Sequence, residues 1–296
     1  MGFLTYLRLK VIVLFVRLLA RLASGPTQCF PDRVLYITSR NAGRKIKVHV
    51  YESKTNDSKP RPVLLNLHGS GFILPYHGSD DEFCARVAQE TEYTVLDVQY
   101  RLAPENPFPA ALEDVEDVAR WILEKPEDFD LTRLAISGFS AGGNLALATA
   151  SGVFSKDTFC SVLAFYPSTN KSIDPGDRKA PDTSVKAGPI ALSRFFDECY
   201  IPSTMDKKNP LISPSFASAE AFPQNVLFVT AACDNLCLEA EALAAKIKNA
   251  NGSHNVVAMR MEKCVHAWDK STKPGTIQEK AKDEAYTLAI QMLRAQ

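Results

Sequence analysis

The sequence has no excess of charge of either sign: Lys plus Arg and Asp plus Glu each number 34, a formal net charge of zero. A chain-wide electrostatic case for nucleic acid fails on that count. A cysteine framework is also lacking. The seven cysteines, Cys29, Cys84, Cys160, Cys199, Cys233, Cys237 and Cys264, are odd in number, with no close pair except Cys233 and Cys237. That counts against a disulfide-stapled secreted scaffold and predicts a reducing, cytoplasmic compartment. No second close Cys or His pair accompanies Cys233 and Cys237, so no zinc motif is present. Long apolar runs are missing too. In the apolar amino-terminal stretch the longest wholly apolar run is 11–16, far short of the roughly 20 residues that a membrane span needs. No internal repeat is visible. The sequons at Asn56, Asn170 and Asn251 are too short a pattern to decide anything.

What is present is enough for one large domain. The chain has 296 residues, 46% of them hydrophobic, and a folded chain of this length buries roughly 75% of the surface its unfolded form exposes. Residues 1–23 interleave Leu, Val and Phe with Arg8, Lys10, Arg17 and Arg21. A helix places Lys10, Arg17 and Arg21 on one face. Such a helix can dock on the body of the protein, lie on a membrane surface as a peripheral contact over residues 1–24, or be a processed leader. The charge favours the membrane; the docked reading is preferred.

After Gly25-Pro26 the pattern predicts eight short strands: 34–38, 46–52, 63–67, 93–98, 134–137, 159–165, 226–230 and 255–260. Helical periodicity falls between the later ones, at 80–91, 110–124, 141–151, 239–249 and 277–293. This alternation predicts an α/β fold with a mostly parallel eight-stranded sheet covered by helices on both faces. The stretch 170–223, rich in Pro, Ser and Lys, has one helical candidate at 192–200 and predicts an excursion over the sheet edge.

The chemistry starts at Gly138-Phe139-Ser140-Ala141-Gly142, which joins the strand LAIS to the helix NLALATA. G-x-S-x-G between strand and helix is a nucleophile elbow, with Ser140 lifted above the sheet on a strained turn. Gly138 and Gly142 are required because side chains there would collide with the neighbouring strand and helix. The short loop His68-Gly69-Ser70-Gly71-Phe72 follows the strand VLLNL. Its small residues can turn backbone N–H groups toward a developing oxyanion, and the N–H of Ala141 is a further donor. His68 is then structural, fixing the loop with Gly69 through hydrogen bonds.

Ser140 needs a base, and the base an orienter. His49 and His77 precede the serine, and His77 reads as a surface or cap contact. His254 lies in a polar loop. His266 alone follows the last strand and precedes the last helix. NVLFVTAACD ends in Asp234 after a late strand; its other role is to cap the helix beginning near Leu236. Glu239 should already lie inside that helix and face away. Asp269 follows His266 too closely to reach its ring. The reading is therefore Ser140, Asp234, His266 in the chain order Ser, Asp, His, with no metal and no cofactor required.

HGSGF at 68–72, DVQYRLAPENPFPAALEDV at 97–115, GFSAGGNLA at 138–146 and CDNLCLEA at 233–240, with His266 beyond, together resemble the hormone-sensitive-lipase-like family of α/β-hydrolase carboxylesterases, the group of arylacetamide deacetylase-like enzymes. The resemblance covers roughly 30–294. It implies a cap made from about 1–30 and 175–220, oxyanion donors at Ser70, Gly71 and Ala141, and a structural role for Asp114. It also implies hydrolysis of small-molecule esters with short to medium acyl chains. Three departures stand out. Ser70 replaces a glycine, which requires a negative φ there. Phe139 stands where the family commonly has Asp, and Asn235 and Leu238 replace Pro and Asp. Alternatives on the same scaffold are an acyltransferase, a product-releasing hydrolase in a biosynthetic pathway, or a non-catalytic binding protein. Natural substrate and oligomeric state, a homodimer included, stay open.

Overall fold

The computed structural model describes residues 2–24, 29–55, 59–185, 188–250 and 254–296. Asn56 and Asn251 lie outside these. Eight strands form one sheet in the order β1-β2-β4-β3-β5-β6-β7-β8. They are β1 (Arg33–Thr38), β2 (Lys45–Tyr51), β3 (Arg61–Leu67), β4 (Thr94–Val98), β5 (Phe129–Phe139), β6 (Ser161–Phe165), β7 (Asn225–Ala231) and β8 (Asn255–Met261). β2 runs antiparallel to both β1 and β4; every other neighbouring pair is parallel.

The parallel strands are apolar runs because both faces are covered: every residue of β4 and β6 is buried, as a sheet between two helical layers requires. Among the described residues, seven α-helices supply the layers: α1 (Phe3–Ser24), α2 (Asp81–Glu90), α3 (Ala110–Leu123), α4 (Ala141–Ala148), α5 (Ile190–Tyr200), α6 (Cys237–Lys248) and α7 (Ile277–Arg294). One core joins α1, α3, α4, α5 and α6 to one face of the sheet. The other joins α2 and α7 to the opposite face.

Two elements differ from the sequence expectation. β5 starts five residues before 134, because Phe129 pairs with Arg61 across a bulge in the parallel ladder. Asp130, Thr132 and Arg133 interrupt the apolar run there. The helix predicted over 141–151 is α-helical only to Ala148 and then continues as a π turn over Thr149–Val153.

α1 is docked through its basic residues. Leu9 and Val13 are fully buried. Lys10 and Arg17 both pair with Glu105, and Arg17 also donates to the carbonyls of Ile73 and Ala103 at 2.7 and 2.9 Å. Arg8 pairs with Glu198 of α5. The charge that favoured a membrane is thus spent largely within the fold, and the outward face is apolar instead, from Phe3 and Leu4 to Leu19 and Leu22. No helix among the described residues is long and apolar enough to cross a membrane.

Candidate active site

The sequence between β5 and α4 must reverse direction within one residue, and the backbone shows it. Ser140 has φ 53° and ψ −113°, a conformation that L-residues adopt only when the surroundings enforce it. The enforcement is steric. A Cβ on Gly142 would stand 1.9 Å from the Leu67 carbonyl oxygen, and one on Gly138 would stand 2.2 Å from the Gly142 oxygen. Ser140 is held from the other side by its N–H, which donates to Phe165 at the end of β6 at 2.9 Å.

Ser140 Oγ lies 2.8 Å from Nε2 of His266. Nδ1 of the same ring lies 2.7 Å from Asp234 Oδ2. A carboxylate can only accept from the ring, so the proton sits on Nδ1 and Nε2 is free to accept from the serine. The other oxygen of Asp234 accepts from the Leu236 N–H at 3.0 Å, so this one residue both caps the turn into α6 and holds the imidazole. Burial pulls the His266 pKa down, and the adjacent Asp234 carboxylate more than reverses this, leaving it above the ordinary 6.5. The His266 side chain is 40% exposed and Asp234 only 6%, so the base is open to a substrate while its orienter is not.

Facing the serine is the 68–72 loop. The positive φ values fall on Gly71 (54°) and Phe72 (65°), not on Ser70, so serine is compatible with its position. A Cβ added at Gly69 would lie 3.4 Å from the Phe139 carbonyl oxygen and 3.7 Å from Ser140 Cβ. The N–H of Gly71 has no hydrogen-bond partner among the described residues. Ala141 is the first residue of α4, and so its N–H has no intrahelical acceptor. His68 is buried, which holds its pKa below the ordinary value. Its Nδ1 lies 3.1 Å from the Gly69 carbonyl, and its ring stacks on Tyr100 at 4.3 Å.

The YRLAPENPFPA string, for which composition and periodicity offer no role, supports this loop. Tyr100 Oη donates to the His68 carbonyl at 2.6 Å and lies 2.8 Å from Ser70 Oγ, which accepts from the Phe72 N–H at 2.8 Å. Asp114, fully buried, takes Arg101 at 2.9 Å and also pairs with Arg44. Glu105 of the same string anchors α1.

Glu239, Asp269, His254 and His77 have structural partners. Glu239 is buried in α6, accepts from the N–H groups of Thr169 and Asn170, and pairs with Arg178 at 3.2 Å. Asp269 accepts from Tyr166 and Tyr286 at 2.7 and 2.8 Å and pairs with Lys270 at 2.9 Å. Lys270 also pairs with Asp80 at 2.7 Å and stands 3.6 Å over the Phe139 ring. Phe139 itself stacks on Phe165 at 4.4 Å, so the elbow's surroundings are aromatic. His254 contacts the Pro223 carbonyl at 3.2 Å. His77 departs from the expected surface contact: its side chain is only 5% exposed, because the loop after 72 turns inward over the sheet, and Nε2 lies 3.1 Å from the Asp97 carbonyl.

Sequence reasoning also missed a polar row across the sheet. His49 of β2, Asp97 of β4, Asn66 of β3 and Ser137 of β5 are successive register partners. Ser137 Oγ donates to Asn66 Oδ1 at 2.8 Å, and Asn66 Nδ2 donates to Asp97 Oδ1 at 2.9 Å. The signal was a polar residue set directly between buried neighbours in each of the four strands.

Ser140, Gly71, Ala141 and His266 open on a cleft of about 1300 Å³, walled by Phe30 and by Ile190, Leu192 and Phe196 of α5. Residues 64–270 of the sequence match the family described as the alpha/beta hydrolase fold. The chain belongs to that family. Within this alpha/beta hydrolase fold family it is 28% identical over 283 residues to an ethyl acetate hydrolase of Pseudomonas putida, covering 94% of this chain and 86% of that protein. It is 27% identical to an arylesterase of Saccharolobus solfataricus, over 76% of this chain and 75% of that protein. Among solved structures, a hyperthermophilic esterase from Pyrobaculum calidifontis superposes with a TM-score of 0.79 at 28% identity, covering 96% of this chain and 93% of that one.

Proposed function

We propose that this alpha/beta hydrolase is a serine carboxylesterase of the hormone-sensitive-lipase-like group, cleaving esters of short to medium acyl chains through an acyl-enzyme. The observation that carries the reading is the continuous line from Ser140 Oγ through His266 to Asp234, at 2.8 and 2.7 Å, beside unpartnered backbone donors. His266 removes the Ser140 proton as Oγ attacks the ester carbonyl. Asp234 holds the ring in the tautomer that can accept, and stabilises the imidazolium. The N–H groups of Ser70, Gly71 and Ala141 receive the oxyanion, each donor contributing about 3 kcal/mol to the transition state. The imidazolium then protonates the leaving alkoxide, and water activated by His266 clears the acyl group. No step draws on a metal or organic cofactor.

The cleft wall built by α5 and Phe30 supports a cap formed by about 1–30 and 175–220, with α1 bracing it through Arg8 and Glu198. The experiment is turnover of a chromogenic acyl-ester series, acetyl to palmitoyl, by the wild type and Ser140→Ala. Turnover peaking at short chains and absent from the variant is expected. Equal turnover by both proteins would sink the mechanism.

A second reading concerns α1. Its outward residues are apolar apart from Thr5, Arg8 and Arg21, and its only charges are basic, so nothing on it repels an anionic bilayer. A peripheral contact with a lipid surface accounts for that face. Flotation with anionic liposomes tests it, with Leu7, Val11, Phe15 and Leu18 changed to Ser as the control; recovery of the wild type in the soluble fraction rejects it.

A further inference from the structure

His49 and Asp97 are direct cross-strand partners on β2 and β4, so both side chains leave the sheet on the same face. His77 comes down on them from the loop that leads from the 68–72 segment to α2. Its ring centroid is 4.0 Å from that of His49. One donor atom from each of the three residues lies within 4.8 Å of the other two.

The three side chains are enclosed, and one polar atom on each of two of them lacks a hydrogen-bond partner. His49 is 4% exposed and Asp97 not at all. Nδ1 of His49 and Oδ2 of Asp97 are sealed from solvent with no hydrogen-bond partner, a costly state for a nitrogen and for a carboxylate oxygen. His77 Nε2 stands 3.3 Å from that oxygen and 3.1 Å from the Asp97 carbonyl. Two orphaned polar atoms, on side chains whose donor atoms lie within 4.8 Å of one another, call for a partner. A divalent cation can bind a nitrogen and a carboxylate oxygen at once.

We propose that His49, His77 and Asp97 form a binding site for a divalent transition metal of the zinc class. Two imidazole nitrogens and one carboxylate oxygen are the donor set that such borderline ions select. Tetrahedral bonds of zinc length put neighbouring donors about 3.3 Å apart, so the three side chains need only draw together within the span they already occupy. The outer shell is in place as well. Asp97 Oδ1 is held by Asn66 Nδ2 at 2.9 Å, which orients the carboxylate and leaves Oδ2 for the ion. The fourth position is left to water.

None of these residues touches Ser140, Asp234 or His266, and the hydrolytic steps do not pass through the ion. Its effect is to staple β2 and β4 to the loop that continues from the proposed oxyanion donors. The spacing could not reveal such a site, because its three ligands come from two strands and a loop rather than from a local Cys or His cluster.

The test uses the full-length wild type with His49→Gln and His77→Gln, each checked for native far-UV circular dichroism. Each protein is incubated with zinc chloride, passed through metal-free buffer by gel filtration, and analysed for zinc by mass spectrometry. One equivalent is expected on the wild type and close to none on either variant, together with a thermal midpoint that rises with zinc concentration only in the wild type. Cobalt(II) added to the wild type is expected to give the visible d–d bands of a four-coordinate site. A wild type that retains no zinc, or folded variants that retain as much as the wild type, would overturn the proposal. If neither variant folds, the cobalt spectrum decides, and absence of the bands counts against the site.

Discussion

Tyr100 ties the start of the loop that faces Ser140 to its middle. Its hydroxyl donates to the His68 carbonyl at 2.6 Å, and can therefore only accept from Ser70 Oγ, 2.8 Å away. Ser70 Oγ in turn accepts from the Phe72 N–H. The hydrogen bonds run from the Phe72 N–H to Ser70 Oγ, to Tyr100 Oη and to the accepting His68 carbonyl, and they fix the peptide units whose N–H groups are proposed to meet the oxyanion. Tyr100→Phe leaves a buried serine hydroxyl and a carbonyl short of a partner, at a cost of about 1–3 kcal/mol. The expected result is a lower urea midpoint and a fall in kcat with little change in KM, smaller than the roughly 10²-fold loss of a whole oxyanion donor. An unchanged kcat would mean that the loop is held by its packing alone.

The His266 pKa lies above 6.5 because Asp234 outweighs burial. Protonated His266 cannot accept from Ser140, so kcat/KM is expected to fall as pH drops through that raised value. The stability contribution runs the other way: a folded pKa above the unfolded one adds stability that is complete below the unfolded value and is lost as pH rises through the folded value. Asp234→Asn removes the source of the shift. Its acid limb is expected to move to lower pH, while kcat falls by about 10⁴-fold. A pH–rate profile of both proteins measures the two effects together, and an acid limb that stays put would assign the titration to another group.

The sequence was most legible where the chemistry is local. G-x-S-x-G between an apolar strand and a helix is one continuous segment, and Ser140 lies where that pattern puts it. Asp234 and His266 could be placed because each lies just beyond a predicted late strand. The eight strands and their parallel core were legible from apolar runs, the early start of β5 was not, because Arg61 and Phe129 pair without an apolar pattern. The support around the site was least legible. Tyr100, Lys270 and Asn66 act through contacts that depend on which strands are neighbours, and strand order is a property of the packed sheet.

Arg17 tests the anchoring of α1. Its guanidinium joins Glu105 to the carbonyls of Ile73 and Ala103, and Arg17→Ala removes all three contacts, at a cost of about 1.5 kcal/mol. Burial raises the Glu105 pKa, but hydrogen bonds from Arg17 and Lys10 more than offset it and hold the carboxyl at about 2. A depressed carboxyl adds stability that is present above its unfolded value and is lost as pH falls through the folded one. The gap between wild type and variant is therefore expected to be full near neutrality and to narrow as pH falls from about 4.3 towards 2. Thermal melts of both proteins across that range are the measurement; a constant gap would place the effect in packing alone.

Lys270 is the last case, and there the balance of charge decides. Its ammonium lies between Asp80 and Asp269 at 2.7 and 2.9 Å and over the face of Phe139. Burial works against the charged form, and the two carboxylates more than compensate, so its pKa is raised. Lys270→Met keeps most of the volume and leaves two buried carboxylates without their cation, an imbalance that costs about 3–5 kcal/mol. Asp269 retains its bonds from Tyr166 and Tyr286, so the loss falls mainly on Asp80 and the start of α2. Adding Asp80→Asn to Lys270→Met removes one of the stranded charges and is expected to recover part of the loss. Urea titrations of the wild type and the single and double variants measure this; a double variant no more stable than Lys270→Met would show that the lysine acts by filling space against Phe139 and not by its charge.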